Sequence, residues 1–493
     1  MAKISPWLFS WNDIEGRSDL DCFYLVRDNL PDEELVMELE RFRRNGRDDF
    51  PVRAMWNALI AGIVFQHKSI ESLIRELSRN PSLLEACGFN PLPIQKGSVA
   101  ELRRDEETGK MKIVVLKSGA PYYRVPRSHN FSRFLKNVIR LEKKKGMVGD
   151  LIKGLRERLM EELPGFGRHL GYDGKAIESC STGRKSKKTG VPSDPDADWG
   201  KHVIKGVDKE TGKMWEKVKR WFGYGLHLIA DTQYEIPVAV CVTSASRSEQ
   251  KELRGMIRET FKESPELAER CRDFSADRGL DSAETKALLW DDYRIRPVID
   301  IREMWRDEKG EPIYDPKKPI TRSLYPERAD SIVYTEKGTL HCICPVTGEK
   351  RDMAFQGFEA DRNTLKYRCP AAAYGFGCKG QKQCSMFGQV NPGTYGRIVR
   401  INITNQDRRI FTPTPYDSPS WHRIYNRRSA LERINNRVDN SFGFEKHFIR
   451  GKAKMQTRVG LAIAVMMALA LGHVRAGRIE QMRSLVRTIP AVA

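Results

Sequence analysis

Tyr425, Arg428, Glu432 and Asp439 follow one another at steps of three, four and seven residues. On a helix of about 3.6 residues per turn those steps return to one face. Leu431, Ile434 and Val438 form an apolar stripe about a quarter turn away, so the polar residues run along the edge of a buried face. An aromatic ring, a guanidinium and two carboxylates placed there incur a desolvation cost that needs a chemical reason. Two further acids stand beside strand-like stretches, Asp173 in GYDGK and Asp277 in FSADRGLDS, and each is expected to end its strand. Gly279 then lets the chain turn sharply toward the next helix. Carboxylates brought together from strand ends and a helix suit Mg²⁺ or Mn²⁺, which take hard oxygen ligands. Two such ions about 4 Å apart activate a nucleophile and stabilise a leaving oxygen in phosphodiester displacement. Taken singly, each acid reads as a turn or a surface residue; their combination carries the chemistry.

The elements that must position these residues change character along the chain. Up to about residue 165 the pattern is helical. Leu35, Leu39 and Phe42 sit at helical spacing after Pro31, Trp56, Ile60 and Ile63 continue it, and Leu73, Ile74 and Leu77 follow Ser69, a natural N-cap. A helix from about Asn130 places Phe131, Phe134, Val138 and Leu141 on one side. Arg133, Lys136, Arg140 and Lys143 or Lys144 lie on another side as a basic stripe suited to phosphates. Beyond residue 165, strands are expected over Arg168–Ile177, Tyr224–Ile229, Ile236–Ser244, Arg272–Ala276 and Tyr293–Ile301, with helices over 251–270 and Asp281–Leu289. Ser181–Trp215, rich in Gly, Ser, Lys, Asp and Pro, reads as a loop or mobile basic arm. The succession fits an α/β sandwich around a mixed sheet.

Composition narrows the partners. The 493 residues carry a formal charge of +20, with a pI near 9.5, which favours a polyanion such as nucleic acid. Met1–Gly16 lacks the basic start and apolar core of a signal peptide, and Val459–Leu471 is too short to span a bilayer, so a buried core helix and a cytoplasmic location without membrane association are expected. Ten cysteines in such a chain point to reduced thiols or metal ligands. Five of them, Cys342, Cys344, Cys369, Cys378 and Cys384, crowd into residues 340–390 among strand-like flanks and glycine turns. Thiolates suit tetrahedral Zn²⁺, although the spacings are not the paired C-x2-C of a strong signature, and buried free thiols fit them equally.

The stretches HLGYDGKAIES, GYGLHLIADTQYEIPVAVCVTSAS, FSADRGLDSAET and YNRRSALERINNRVDNSFGFEKHFIRG resemble those of bacterial insertion-sequence DDE transposases. The tyrosine, two residues, arginine, three residues, glutamate spacing of the last is the most specific match. The resemblance implies an α/β fold with an N-terminal all-helical domain and a ribonuclease H-like mixed-sheet catalytic core carrying a Cys-rich insertion. The divisions expected are residues 1–165 for a helical DNA-binding domain, 166–335 and 396–493 for the two parts of the core, and 336–395 for the insertion. Asp173, Asp277 and Glu432 would be the Mg²⁺-binding catalytic triad. Tyr425 and Arg428 would position DNA phosphates, with Arg133, Lys136 and Arg140 as further DNA contacts.

The implied activity is metal-dependent cleavage at the ends of an insertion element and strand transfer into target DNA. The terminal inverted repeats and target DNA would be partners, engaged by a homodimer or larger assembly. Two other readings stay open: a DNA-binding descendant that no longer cuts, and a structure-selective nuclease on the same fold. The sequence departs from the family pattern at Asp439, where lysine is usual and where Arg437 or Lys446 would have to substitute, and at Gly225, where lysine is frequent. Asp231, after the strand GYGLHLIA, is a rival first acid; the family order favours Asp173.

Overall fold

A computed structural model of the chain describes residues 20–485 apart from 44–49, 93, 96–98, 105–110, 118–120, 123, 208–213, 303–304, 306–319, 328–329, 385–389 and 392–394. The N-terminal part is built from helices α1 (Leu20–Asn29), α2 (Glu33–Arg43), α3 (Val52–Val64), α4 (Ile70–Arg79), α5 (Pro81–Cys87), α6 (Ser128–Lys145) and α7 (Met147–Glu162). Local signals set several of their ends. Ser69 caps α4 by accepting the Ser72 amide at 3.1 Å, and Asn80 caps α5 by accepting the Leu83 amide at 3.0 Å. Gly146 closes α6 in the left-handed conformation. Phe131, Phe134, Val138 and Leu141 are buried, as the periodicity of α6 requires. The expectation of an all-helical region needs one correction. Two short antiparallel pairs, β1 (Ile94–Gln95) with β4 (Pro121–Tyr122) and β2 (Val99–Arg104) with β3 (Met111–Lys117), stand between α5 and α6.

The core sheet has β5 (His169–Glu178) at its centre. On one side lie β7 (Met214–Asp231) and then β8 (Ile236–Ser244), both antiparallel to their neighbours; on the other lie β9 (Asp273–Ala276) and β10 (Arg296–Ile299), parallel to β5. Three meandering strands followed by two parallel ones across the centre is the ribonuclease H-like arrangement. β6 (Asp198–Val207) is an addition that pairs with the first half of β7, so the reading of Ser181–Trp215 as loop or mobile arm holds only for its first part. The composition misled because β6 contributes little to the core. Gly223 lies where β5, β6 and β7 meet, and a Cβ there would come within 2.1 Å of the Ile177 carbonyl oxygen.

Helix α8 (Glu249–Glu263) follows β8, and Pro265 starts a separate α9 (Pro265–Arg270), breaking the single helix expected over 251–270. Similarly, α10 (Ala283–Ala287) passes into a wide π turn over Leu288–Asp292. Strands β11 (Thr321–Ser323), β12 (Ile332–Thr335), β13 (Leu340–Ile343) and β14 (Lys350–Asp352) form one four-stranded sheet. β15 (Ala354–Glu359), β16 (Thr364–Arg368), β17 (Val390–Asn391) and β18 (Gly396–Asn402) form another. Ile332, Leu340, Leu365, Val399, Ile401 and Phe411 give this region a core of its own, closed by Trp290 and Trp305. Short helices α11 (Pro370–Tyr374) and α12 (Gln381–Cys384) sit at its edge.

The chain then returns to the main body through α13 (Pro419–Tyr425), a 3₁₀ turn over Asn426–Arg428, α14 (Ser429–Asn436) and a π turn over Arg437–Ser441. Leu431, Ile434 and Val438 are fully buried, as the apolar stripe predicts. The last long helix, α15 (Lys452–Arg475), has the length and apolar composition to cross a membrane, but 89% of its most apolar window is buried inside the molecule. It packs on α1, α7 and β8 and joins the N-terminal helices and the sheet into one apolar core.

Candidate active site

Asp173 does not end its strand, as the sequence suggested; it sits in the middle of β5, opposite Leu228. Asp277 does follow the last residue of β9. The parallel register pairs Tyr172 with Ala276, so Asp173 and Asp277 are the next residues on adjacent strands, which run roughly 4.8 Å apart. Burial, opposed by Arg428 and reinforced by the negative charge of Asp277, pushes the Asp173 carboxyl up to about 6. Asn435, one turn beyond Glu432 on α14, donates to Asp173 Oδ2 at 2.7 Å.

Glu432, on the helix, joins the two aspartates among the described residues only through Arg428. Its side chain remains 63% exposed and accepts from Arg428 Nη2 at 3.2 Å. The Arg428 guanidinium is held charged by Tyr425, Asp277, Asp173 and Glu432, against the opposing effect of burial, and its Nε is buried without a partner. Among the described residues no three acidic, histidine or cysteine side chains stand close enough to hold one ion. The arrangement is a pair of adjoining carboxylates, with the glutamate turned to an arginine between them. Tyr425 stacks on Trp421 at 4.5 Å between centroids, and Trp421 meets Tyr416 at 4.6 Å, so an aromatic column supports the arginine.

The departures from the family pattern have structural explanations. Asp439 forms an ion pair with Lys175, and both side chains are mostly buried. Lys175 lies two residues after Asp173 and therefore on the same face of β5. A cation thus stands at this edge of the site, supplied by the strand instead of the helix. Arg437, a suggested substitute, is committed elsewhere: it donates to the Glu235 carbonyl at 2.8 Å, and burial lowers it to about 10. Lys446 is exposed. Gly225 is a tight position for a lysine, because a Cβ would lie 3.2 Å from His227 Nε2 and 3.3 Å from Thr243 Oγ1 and those side chains would have to shift. Asp231, the rival first acid, is fully buried and accepts the amides of Gly167, Gln233 and Tyr234 at 2.8, 2.8 and 2.7 Å. Its lone pairs close a turn.

Three residues that sequence reasoning passed over belong to this region: Lys175, Asn435 and Glu249. Glu249 begins α8, and its carboxylate faces Gly174, where a Cβ would come within 2.9 Å of its Oε1. Burial and the neighbouring Asp277 raise its carboxyl, with His202 and Arg302 opposing. The strand period of two would have found Lys175, and the helical step of three from Glu432 would have found Asn435. Glu249 has no local signal. Arg133, Lys136 and Arg140 are exposed on α6, and the first two line a surface groove with Arg127, Ser128, His129 and Ser132.

Apart from this site, Cys342, Cys344, Cys369, Cys378 and Cys384 all line one cavity of about 320 Å³, and none is in a disulfide. The Thr347 side chain and the amides of Thr347, Val346 and Gly380 pull the Cys344 thiol down to about 7. Burial pushes Cys342 up to about 11. Cys378 is held near Cys344 and Cys369.

A family model described as a transposase DDE domain matches residues 164–468. Among solved structures, one similar to this chain is the cryo-EM structure of a piggyBac transposase synaptic complex with hairpin DNA. The identity is 13% over 95% of this chain and 79% of that one, with a TM-score of 0.33, too slight a likeness to support any argument. No curated protein matches the chain.

Proposed function

The chain belongs to the DDE transposase family, and from that membership we propose that it cuts DNA at the ends of an insertion element and joins the freed 3′-hydroxyl to target DNA. The observation that supports this best is the side-by-side placement of Asp173 and Asp277, facing a guanidinium that also bonds Glu432. Burial and the charge of Asp277 raise the Asp173 carboxyl, and a divalent cation between the two aspartates would relieve that cost. Asp173, Asp277 and Glu432 would hold Mg²⁺ or Mn²⁺, which when bound supplies nucleophile activation and charge neutralisation at phosphorus.

The chain's own residues do the rest. Arg428, which donates to Glu432 from Nη2 at 3.2 Å, would hold a phosphate oxygen with its planar fork were Glu432 to serve as a metal ligand. Tyr425 fixes the guanidinium through its stacked ring and bounds the phosphate pocket. Asn435 keeps the Asp173 carboxylate oriented, and Lys175, tied to Asp439, provides the neighbouring positive charge. Cleavage and joining are both in-line displacements at phosphorus, so one site serves both steps. Arg133, Lys136 and Arg140 on α6 contact DNA phosphates away from the chemistry. The assembly on paired element ends is a dimer or larger, in a cytoplasmic, nucleoid-associated setting. Cys342, Cys344, Cys369, Cys378 and Cys384 would hold a structural Zn²⁺ only by drawing their thiols together across the cavity they line, since among the described residues no three stand close enough to share one ion.

The test is incubation of the purified protein with Mg²⁺ and DNA carrying the inverted repeats that border its gene. Nicks that leave 3′-hydroxyls at the repeat ends are expected, followed by covalent joining to a second DNA. Binding without cleavage even in Mn²⁺ would mark a DNA-binding descendant. Cleavage of branched DNA without joining would mark a structure-selective nuclease.

A further inference from the structure

The first half of β7 leaves the core sheet. Over Met214–Phe222 its ladder partner among the described residues is β6, and the two limbs form a two-stranded ribbon. Its register opposes one pair of like charges, Lys201 directly across from Arg220, while His202 faces Lys219 and Lys205 faces Glu216. Like charges directly opposite destabilise an antiparallel pair. Lys201, Arg220, His202 and Lys219 are exposed, as is Lys217, and no ion pair joins Lys201, Lys217, Lys219 or Arg220 to a carboxylate among the described residues. Trp199, on the same face as Lys201 and Arg220, and Trp215 on the opposite one are 53% and 46% exposed. The ribbon contributes Phe222 and Trp221 to packing only at its base, where Trp221 lies over Gly200 and Phe222 against Trp199. Neither the core nor an internal ion pair explains the cations beyond that base.

We propose that this ribbon is a second DNA-binding element, which grips phosphates of the duplex within about eight base pairs of the bond being cut. Polyanionic phosphates turn the opposed cations from a cost into a binding surface, and a two-stranded ribbon has the dimensions to lie along or in a major groove. The placement follows from the strand itself. Leu228 of β7 is paired with Asp173, and Arg220 is eight residues back along the same strand, at most about 26 Å away at roughly 3.3 Å per residue. That is about eight base pairs at roughly 3.4 Å each. The inference rests on the transposase reading for the position of the cut, while the phosphate grip itself rests on the ribbon alone.

The experiment is binding of the full-length protein to a linear duplex of arbitrary sequence, without divalent metal, over a range of salt concentrations. The wild type, Lys201→Glu with Arg220→Glu, and the conservative Lys201→Arg with Arg220→Lys are compared, with thermal unfolding as a check that all three fold alike. The reversed pair is expected to bind on the order of tenfold more weakly at moderate salt, with a log–log salt slope shallower by about 0.9 for each phosphate that is no longer neutralised. The conservative pair should match the wild type. An unchanged slope in the reversed pair overturns the proposal. Nicking of a short duplex that ends before the ribbon's reach is measured in parallel. Equal nicking by all three supports the assignment of the ribbon to distant phosphates. If no protein nicks but the slope still shifts, the transposase reading falls and the ribbon stands.

Discussion

Asp173 and Lys175 occupy the same face of one strand, and their partners come from one helical rod: Asn435 for the aspartate, Asp439 for the lysine. Because the Asp173 carboxyl is raised to about 6 in the folded chain, its charge is a penalty that is absent below the unfolded value near 4 and fully present above pH 6. Asp173→Asn is therefore expected to raise thermal stability at pH 8, by on the order of 1–3 kcal/mol, and to leave it unchanged near pH 3; calorimetric melting at the two pH values checks this. By the same sign, Mn²⁺ affinity should fall about tenfold per pH unit below 6, and calorimetric titrations showing a flat affinity down to pH 4 would exclude Asp173 as a ligand. The Lys175–Asp439 pair predicts that Asp439→Lys, which sets two ammonium groups together, is destabilising. Lys175→Asp combined with Asp439→Lys should recover stability, with a coupling of roughly 0.5–3 kcal/mol in a double-mutant melting series. The positions of Asp277 after a strand and of Arg428 and Glu432 one helical step apart were legible because strand ends and helical spacing mark them. Lys175 was skipped although the strand period exposes it, and the pairing that explains Asp439 spans 264 residues, beyond the reach of any local pattern.

Hydrophobic period reveals elements that face the core and is silent about those that do not. The helices α3, α4 and α6, the second half of β7 and the strand β8 were legible because each buries an apolar face; the first half of β7, outside the core, was not. β6 was missed because it lies at the end of a stretch rich in Gly, Ser, Lys, Asp and Pro and its limb stands away from the core. Asp231 illustrates how elements join: its three amide contacts fasten the β7–β8 turn to the start of β5. Asp231→Ala, which leaves these buried donors unpaired, should cost several kcal/mol in denaturant unfolding, whereas a rival catalytic acid would lose activity with stability intact. The cysteine cavity carries the other prediction at this scale. Metal analysis of purified protein should find about one Zn²⁺ per chain, and Cys344→Ser or Cys378→Ser should lose it. A metal-free, fully stable preparation contradicts the site.

Across the molecule, α15 is the common support, packed on α1, α7 and β8 at once. Gly460 lets it approach α7, since a Cβ there would meet Val148 at 2.8 Å. Gly460→Leu should therefore destabilise the main body, whose core α15 joins, by about 1–3 kcal/mol in thermal unfolding. The charge of +20 was visible from composition, but its arrangement on α6 and on the β6–β7 ribbon emerges only from the fold. Most depends on Asp173 and Asp277 serving one chemical step with Glu432. The most direct measurement is Mg²⁺-dependent nicking at element ends by Asp173→Ala, Asp277→Ala and Glu432→Ala, with DNA affinity measured alongside. Loss of nicking by at least about a thousandfold in each variant, with DNA bound as tightly as by the wild type, is the expected result. Undiminished nicking in any one of them contradicts a shared role for the three acids.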